Sequence, residues 1–241
     1  MHIFLIGGGS NGRAGKPNDL EPIDKLIVES TKKSNPKFLF IGLASSFADS
    51  YYDLMKNNYR SLGAVPVYLK KKNILNNPDI VINKIKEADI IYLAGGDTTK
   101  LVREAKEYGI DKLLKEKINN DTIIAGISAG AIALCNDGLS DYKIINNEGD
   151  NYSFTDGFKF INISLCPHGQ EEKRIIDLKD ELEVNKKVLV LDNNTCLEIK
   201  DSLCKVHKVD KASKVRLISN DNNKINEIEL NDKFNIETIT N

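Results

Sequence analysis

Gly126-Ile127-Ser128-Ala129-Gly130 sets a serine hydroxyl between an apolar run, Ile123 to Ile127, and a small-residue helix, Ala131 to Leu134. A sharp strand-to-helix turn of this kind lifts the hydroxyl out of the sheet, and glycines two residues to either side relieve the crowding. The Ala129 amide then stands at a helix start, where an oxyanion can be bound. The chemistry so implied is nucleophilic attack by Ser128 on a carbonyl carbon. A second turn, Gly95-Gly96-Asp97-Thr98, ends the apolar run Ile90 to Leu93 and opens a helix. In a parallel sheet it lies at the same carboxyl edge as Ser128, where ligands bind. The Gly96 amide is therefore the candidate second oxyanion donor. Asp97 is a candidate substrate contact as well as a helix cap.

A serine nucleophile needs a base, and the chain has three histidines. His2 enters the first strand at the far end of the sheet and reads as structural. His207, in the alternating stretch Lys205 to Val209, reads as a surface position. His168, in Leu165-Cys166-Pro167-His168-Gly169, follows a β run between a stiffening proline and a freeing glycine, which suits a loop-borne base. The base in turn needs a group to fix its tautomer. Glu198 lies in the apolar run Cys196 to Ile199, where an acid needs a partner; Asp192, Asp137 and Asp141 are the other candidates.

Gly7 to Gly12 satisfies G-x-G-x-x-G after the first strand, but Pro17 and Asn18 delay the following helix, and the second strand ends in Ala44-Ser45-Ser46 with no acid for a ribose. The run reads as a glycine-rich strand end that lets backbone approach a neighbouring loop. No phosphate-binding G-K-[ST] follows it.

The elements that must hold these residues alternate between strand and helix. Ile3 to Ile6, Phe38 to Leu43, Val65 to Leu69, Ile90 to Leu93 and Ile123 to Ile127 are continuous apolar runs, the pattern of strands buried on both faces. Ile23, Leu26 and Ile27, and Leu101, Val102 and Ala105 after a capping Thr98, recur at helical spacing, as do Ile175, Leu178 and Leu182 within 171–184. After Asp137 the stretches become shorter and more alternating: Phe158 to Leu165, Val188 to Leu191, Cys196 to Ile199, Leu203 to Val209 and Ile225 to Leu230. These predict antiparallel additions to a mostly parallel sheet, with polar turns at Lys70 to Lys72, Asn76 to Asn77 and Asn220 to Asn223.

With 241 residues, 41% of them hydrophobic and 29% charged, one domain over residues 1–241 is expected. The 34 Lys plus Arg against 35 Asp plus Glu leave a net charge of -1, with no basic excess for nucleic acid or an anionic membrane. The four cysteines lack a C-x-x-C pair and read as reduced thiols. With so few histidines, neither a metal site nor a cofactor is expected. No run is long enough for a membrane span or signal peptide, so a cytoplasmic protein, monomer or homodimer, is the expectation.

In order and spacing, Gly95 to Thr98, the elbow Gly126 to Ala131, Cys166-Pro167-His168 and Thr195 to Ile199 resemble the dipeptidase E and cyanophycinase family of serine peptidases, over about residues 1 to 205. The resemblance implies a three-layer α/β sandwich of the class I glutamine amidotransferase-like, flavodoxin-like kind. It gives Ser128, His168 and Glu198 the roles of nucleophile, base and orienting acid, with an aspartate after the serine, loosely Asp141, as another third member proposed in the family. It also implies hydrolysis of small aspartyl peptides, N-terminal-Asp dipeptides first, with cyanophycinase or isoaspartyl peptidase activity as alternatives. An inactive relative that binds an acidic ligand is the non-enzyme alternative. An aspartyl side chain wants a cation. Among Arg13, Arg60, Arg103, Arg174 and Arg216, Arg174, six residues after His168, is the candidate to bind it.

Overall fold

The computed structural model describes residues 1–12, 15–118 and 121–240. The first half alternates as the apolar runs predict. Its strands are β1 (His2–Ile6), β2 (Lys37–Ile41), β3 (Val65–Tyr68), β4 (Ile90–Leu93) and β5 (Ile123–Ile127). Its helices are α1 (Glu21–Ser30), α2 (Ala48–Ser61), α3 (Lys71–Asn76), α4 (Pro78–Glu87), α5 (Thr98–Glu107), α6 (Ile110–Lys117) and α7 (Ala129–Leu134). The second half holds β6 (Cys135–Ser140), α8 (Tyr142–Ile145), β7 (Ser153–Asp156), β8 (Ile161–Cys166), α9 (Glu172–Glu181) and β9 (Lys187–Leu191). It closes with β10 (Thr195–Lys200), β11 (Leu203–Lys208), β12 (Val215–Asp221), β13 (Lys224–Glu229) and β14 (Lys233–Asn235).

The strands form two sheets. One has eight strands in the order β14-β11-β10-β1-β5-β4-β2-β3, parallel from β1 to β3 with β10, β11 and β14 added antiparallel. The other has six in the order β13-β12-β9-β8-β6-β7, with a parallel centre of β6, β8 and β9. Of the five stretches expected to add antiparallel strands, Cys196 to Ile199 and Leu203 to Val209 do so as β10 and β11, with β14 beyond them. The other three lie in a second sheet, where β8 and β9 run parallel to each other and β13 is antiparallel to its neighbour β12.

Side-chain parity explains the layers. Phe4, Ile6, Phe38, Phe40 and Tyr92 pack on one face of the large sheet against Ile23 and Ile27 of α1 and Tyr51, Met55 and Tyr59 of α2. Their neighbours in sequence, Ile3, Leu5, Leu39, Ile41 and Leu93, point to the other face and join a core shared with α4 to α7 and with Ile163, Leu165, Leu189 and Leu191 of the second sheet. On that sheet's outer face Cys166, Val188 and Val190 meet Leu178 and Leu182 beside α9. No helix among the described residues is long and apolar enough to cross a membrane.

Differences from the sequence reading are local. Asp97, not Thr98, caps α5, its side chain accepting from the Lys100 amide. Lys71 and Lys72 begin the short α3 instead of a turn. Residues 135–140, 153–156, 215–221 and 233–235 are strands that the apolar pattern did not single out. Asn136, Asp137 and Gly138 are poor strand formers, and β6 exists because β7 and β8 flank it on both sides.

Candidate active site

Gly7, Gly96 and Ser128 follow the carboxyl ends of β1, β4 and β5 at one edge of the large sheet. Ser128 adopts φ 52° and ψ -113°, a conformation that side-chain-bearing residues rarely hold. Its amide donates to the Ile6 carbonyl at 3.0 Å, and its carbonyl accepts from the Ala131 and Ile132 amides, each at 3.0 Å. The turn leaves no room for side chains beside it: a Cβ on Gly126 would strike the Gly130 carbonyl, and one on Gly130 the Leu93 carbonyl. The spacing of the elbow glycines is thus a steric requirement.

His168 follows β8 of the second sheet and also has a positive φ, 54°. Its amide donates to the Gly7 carbonyl at 3.1 Å, and the next amide, of Gly169, to Leu191 at 3.0 Å. This clamp brings His168 Nε2 to 2.8 Å from Ser128 Oγ. On the other side of the ring, Nδ1 lies 2.7 Å from Asn193 Oδ1. With Nδ1 donating to the amide oxygen, Nε2 is free to accept the serine proton. Burial, together with repulsion from Arg174, holds the His168 pKa below its ordinary value despite the Asn193 bond. The imidazole is therefore a neutral acceptor at physiological pH.

The structure does not bring Glu198 to this pair. Backbone pairing of Gly7 with Thr195 fixes the start of β10 at the site edge, so Glu198, three residues on, lies roughly 10 Å down the sheet. Its two carboxylate oxygens bind His2 Nε2 at 2.9 Å and His207 Nε2 at 2.8 Å. Those two bonds hold its carboxyl well below the usual carboxylate range. The partner expected for Glu198 exists, but it is the two histidines read as structural and surface. Asp192 is committed as well, to Arg216 Nη2 at 3.0 Å and the Lys214 amide at 2.9 Å. Asp137 pairs with Lys186 at 3.0 Å. The group beside His168 is thus Asn193, which the search for an acid passed over; its one visible signal was its place just beyond the end of β9.

The glycine-rich strand end behaves as backbone that must pass close to a loop. Gly8 has φ 150°, and a Cβ there would collide with the His168 ring and Asn193 Oδ1. Gly8, Gly9, Gly95, Gly96, Ile127, Ser128, Asp141, Ile145 and His168 enclose a cavity of about 180 Å³. Gly96 is thus in the cavity wall, and Ala129, 2% exposed, is the first residue of α7. A second cleft on the far side of His168 is lined by Gly9, Ser10, Lys16, Asp19, Glu171, Asn193 and Asn194.

Two expected substrate contacts are occupied by the protein itself. Asp97 Oδ1 accepts from the Lys100 amide at 3.1 Å and Thr99 Oγ1 at 2.7 Å, while Oδ2 accepts from Asn146 Nδ2 at 3.0 Å. Burial opposes its charge, but these bonds outweigh it and keep the carboxyl below its ordinary range. Arg174 is only 2% exposed. Its Nε donates to Glu171 at 3.1 Å, its Nη1 to the Leu139 carbonyl at 3.2 Å, and its guanidinium carbon sits 4.0 Å from the Tyr152 ring centre. Arg174 therefore braces the end of β6 against α9 and is not among the residues lining either cavity. Arg13 lies outside the described residues.

The chain is similar to proteins described as peptidases. A protein of Bacillus subtilis (strain 168) described as the uncharacterized peptidase YgaJ is 31% identical over 172 residues, 71% of this chain and 70% of that protein. Peptidase E of Haemophilus influenzae (strain ATCC 51907 / DSM 11121 / KW20 / Rd) is 33% identical over 94 residues, 38% of this chain and 39% of its own length. The crystal structure of a peptidase from an acI-B1 Actinobacterium superposes with a TM-score of 0.72 at 19% identity, covering 97% of this chain and 96% of that one, and so shares the fold. The family model of peptidase family S51 matches residues 3–207. With 205 of 241 residues inside that match, this chain belongs to peptidase family S51.

Proposed function

We propose that the chain hydrolyses small peptides by a serine mechanism, with Ser128 as nucleophile, His168 as general base and acid, and Asn193 as the residue that orients the imidazole. The observation that carries this reading is the 2.8 Å contact between Ser128 Oγ and His168 Nε2 inside a cavity. His168 takes the Ser128 proton as Oγ attacks the scissile carbonyl, and the resulting oxyanion is received by the Gly96 and Ala129 amides. Ala129 is suited to this because the first amides of a helix have no partner within it. His168 then protonates the leaving amine, and water, deprotonated by the same imidazole, releases the acyl group from Ser128. On this reading residues 1–241 work as one unit, because the nucleophile follows a strand of one sheet and the base a strand of the other.

The aspartyl preference implied by the family resemblance rests on a cation for the aspartyl side chain, and Arg174 is engaged elsewhere. Small peptides as a class, without that preference, are the substrate we assign. The test is hydrolysis of α-Asp-Leu, β-Asp-Arg, Leu-Asp and Ala-Leu by the wild type and by Ser128→Ala, with fluorophosphonate labelling in parallel. Cleavage and labelling that both vanish in Ser128→Ala support the reading. A wild type that neither cleaves nor labels would replace it with a ligand-binding relative of the family.

A further inference from the structure

The cavity around Ser128 carries one charge that the hydrolytic steps leave unused. Its wall is built of glycines, Ile127, Ile145, the Ser128–His168 pair and a single carboxylate, Asp141. Asp141 stands just after β6 and immediately before α8, and its side chain is 36% exposed. Among the described residues this carboxylate accepts no hydrogen bond, and its ion pair is a long one, 3.8 Å from Arg174 Nη2. The same guanidinium is held more closely by Glu171, at 3.1 Å. Glu171 and Asp141 therefore share one guanidinium, Glu171 more closely, and the three groups together leave one net negative charge beside the cavity.

Which part of a peptide meets that charge follows from the chemistry. The acyl fragment becomes bonded to Ser128, so it must occupy the cavity that contains Ser128. The leaving amine must face His168, which also lines the second cleft, where Ser128 is not part of the wall and Lys16 stands with Asp19 and Glu171. A cavity of about 180 Å³ accommodates one amino-acid residue. A positively charged group on that residue would reach a partly exposed carboxylate that accepts no hydrogen bond among the described residues. A carboxylate there would meet like charge.

We propose that Asp141 is a specificity-determining residue that binds a positively charged amino group on the acyl-side residue of the peptide and disfavours an acidic side chain there. This rests on the serine-hydrolase reading above. The ammonium can be the free amino terminus or a basic side chain, and the substrates chosen distinguish the two.

The experiment compares kcat/KM for the p-nitroanilides of Ala, Lys, Asp and N-acetyl-Ala in the wild type and in Asp141→Asn. The wild type should favour Ala over N-acetyl-Ala, or Lys over Ala, by roughly tenfold to a hundredfold, the range set by one charge-assisted hydrogen bond, and Asp-p-nitroanilide should be the poorest free-amine substrate. In Asp141→Asn the favoured ratio should fall to near unity. A gap between Ala and N-acetyl-Ala assigns the amino terminus; a gap between Lys and Ala assigns the side chain. If Asp141→Asn does not fold, protection of wild-type Ser128 from fluorophosphonate by L-alaninamide or L-lysinamide, but not by N-acetyl-L-alaninamide, is the equivalent result. Ratios unchanged by the substitution, or equal protection by all three amides, in a protein whose Ser128 does label would overturn the role of Asp141 while leaving the hydrolase reading intact. Absence of both labelling and cleavage would remove both.

Discussion

His168 Nδ1 and Asn193 Oδ1 are 2.7 Å apart, so the imidazole of the reactive pair is oriented by an uncharged amide. An amide oxygen fixes the tautomer as a carboxylate would. It would give less stabilisation to an imidazolium formed by taking the Ser128 proton, as the proposed mechanism requires. Asn193→Asp should therefore raise the His168 pKa and move the acidic limb of the kcat/KM profile to higher pH. Asn193→Ala should lower kcat by roughly tenfold to a hundredfold through loss of ring orientation. A pH profile identical in all three proteins would deny Asn193 any positioning role.

Glu198 offers the complementary expectation. Its carboxylate joins His2 on β1 to His207 on β11, away from Ser128. Glu198→Ala should cost about 1 to 3 kcal/mol of stability while Ser128 still reacts with a fluorophosphonate. Because the folded-state pKa is depressed, the contribution is present above the ordinary carboxylate value of 4.5 and is lost as pH falls below it. Denaturation of both proteins at pH 7 and pH 3 would show the difference narrowing in acid.

Asp24 has the opposite sign. It is fully buried on α1, and burial pushes its pKa from 3.8 up to about 7, against hydrogen bonds from Tyr59, at 2.9 Å, and Asn18. A raised folded-state pKa means a contribution fully present below 3.8 and lost as pH rises through about 7. Asp24→Asn should be close to neutral at pH 3 and stabilising at pH 9, on the order of a few kcal/mol. Equal Tm differences at the two pH values would refute the assignment of Asp24 as a carboxyl that is neutral in acid.

Gly8 gives a steric test of the site. A methyl group there would enter the space of His168 and Asn193, whereas one at Gly149 meets nothing within 4 Å. Gly8→Ala should abolish labelling of Ser128 in a protein that still folds, and Gly149→Ala should label at the wild-type rate.

The parts of the molecule governed by local pattern were readable in the chain. Ile90 to Leu93 and Ile123 to Ile127 are strands at the expected positions because they are buried on both faces and need no particular partner to be recognised. Ser128 announced itself because its flanking glycines answer to clashes within a few residues. Asn193 did not, since its importance comes from β8 and β9 lying side by side, a pairing no nearby residue encodes. Glu198 misled for the same reason: an acid in an apolar run signals a partner, but only the antiparallel register of β10 with β1 and β11 says which. Arg174 shows that sequence proximity to a base is not access to its cavity; one helical turn of α9 was enough to bury it.

Ser128 terminates a strand of the eight-stranded sheet and His168 a strand of the six-stranded one, so the reactive contact is also a gauge of how the sheets are seated on each other. A rigid slip of an ångström or so along that seam would leave every backbone ladder intact and still separate hydroxyl from imidazole, since hydrogen bonds weaken steeply beyond their normal reach. Gentle heating or low urea should thus silence the enzyme while its circular dichroism is still native. The seam, rather than either sheet, should then set the temperature at which Ser128 stops reacting.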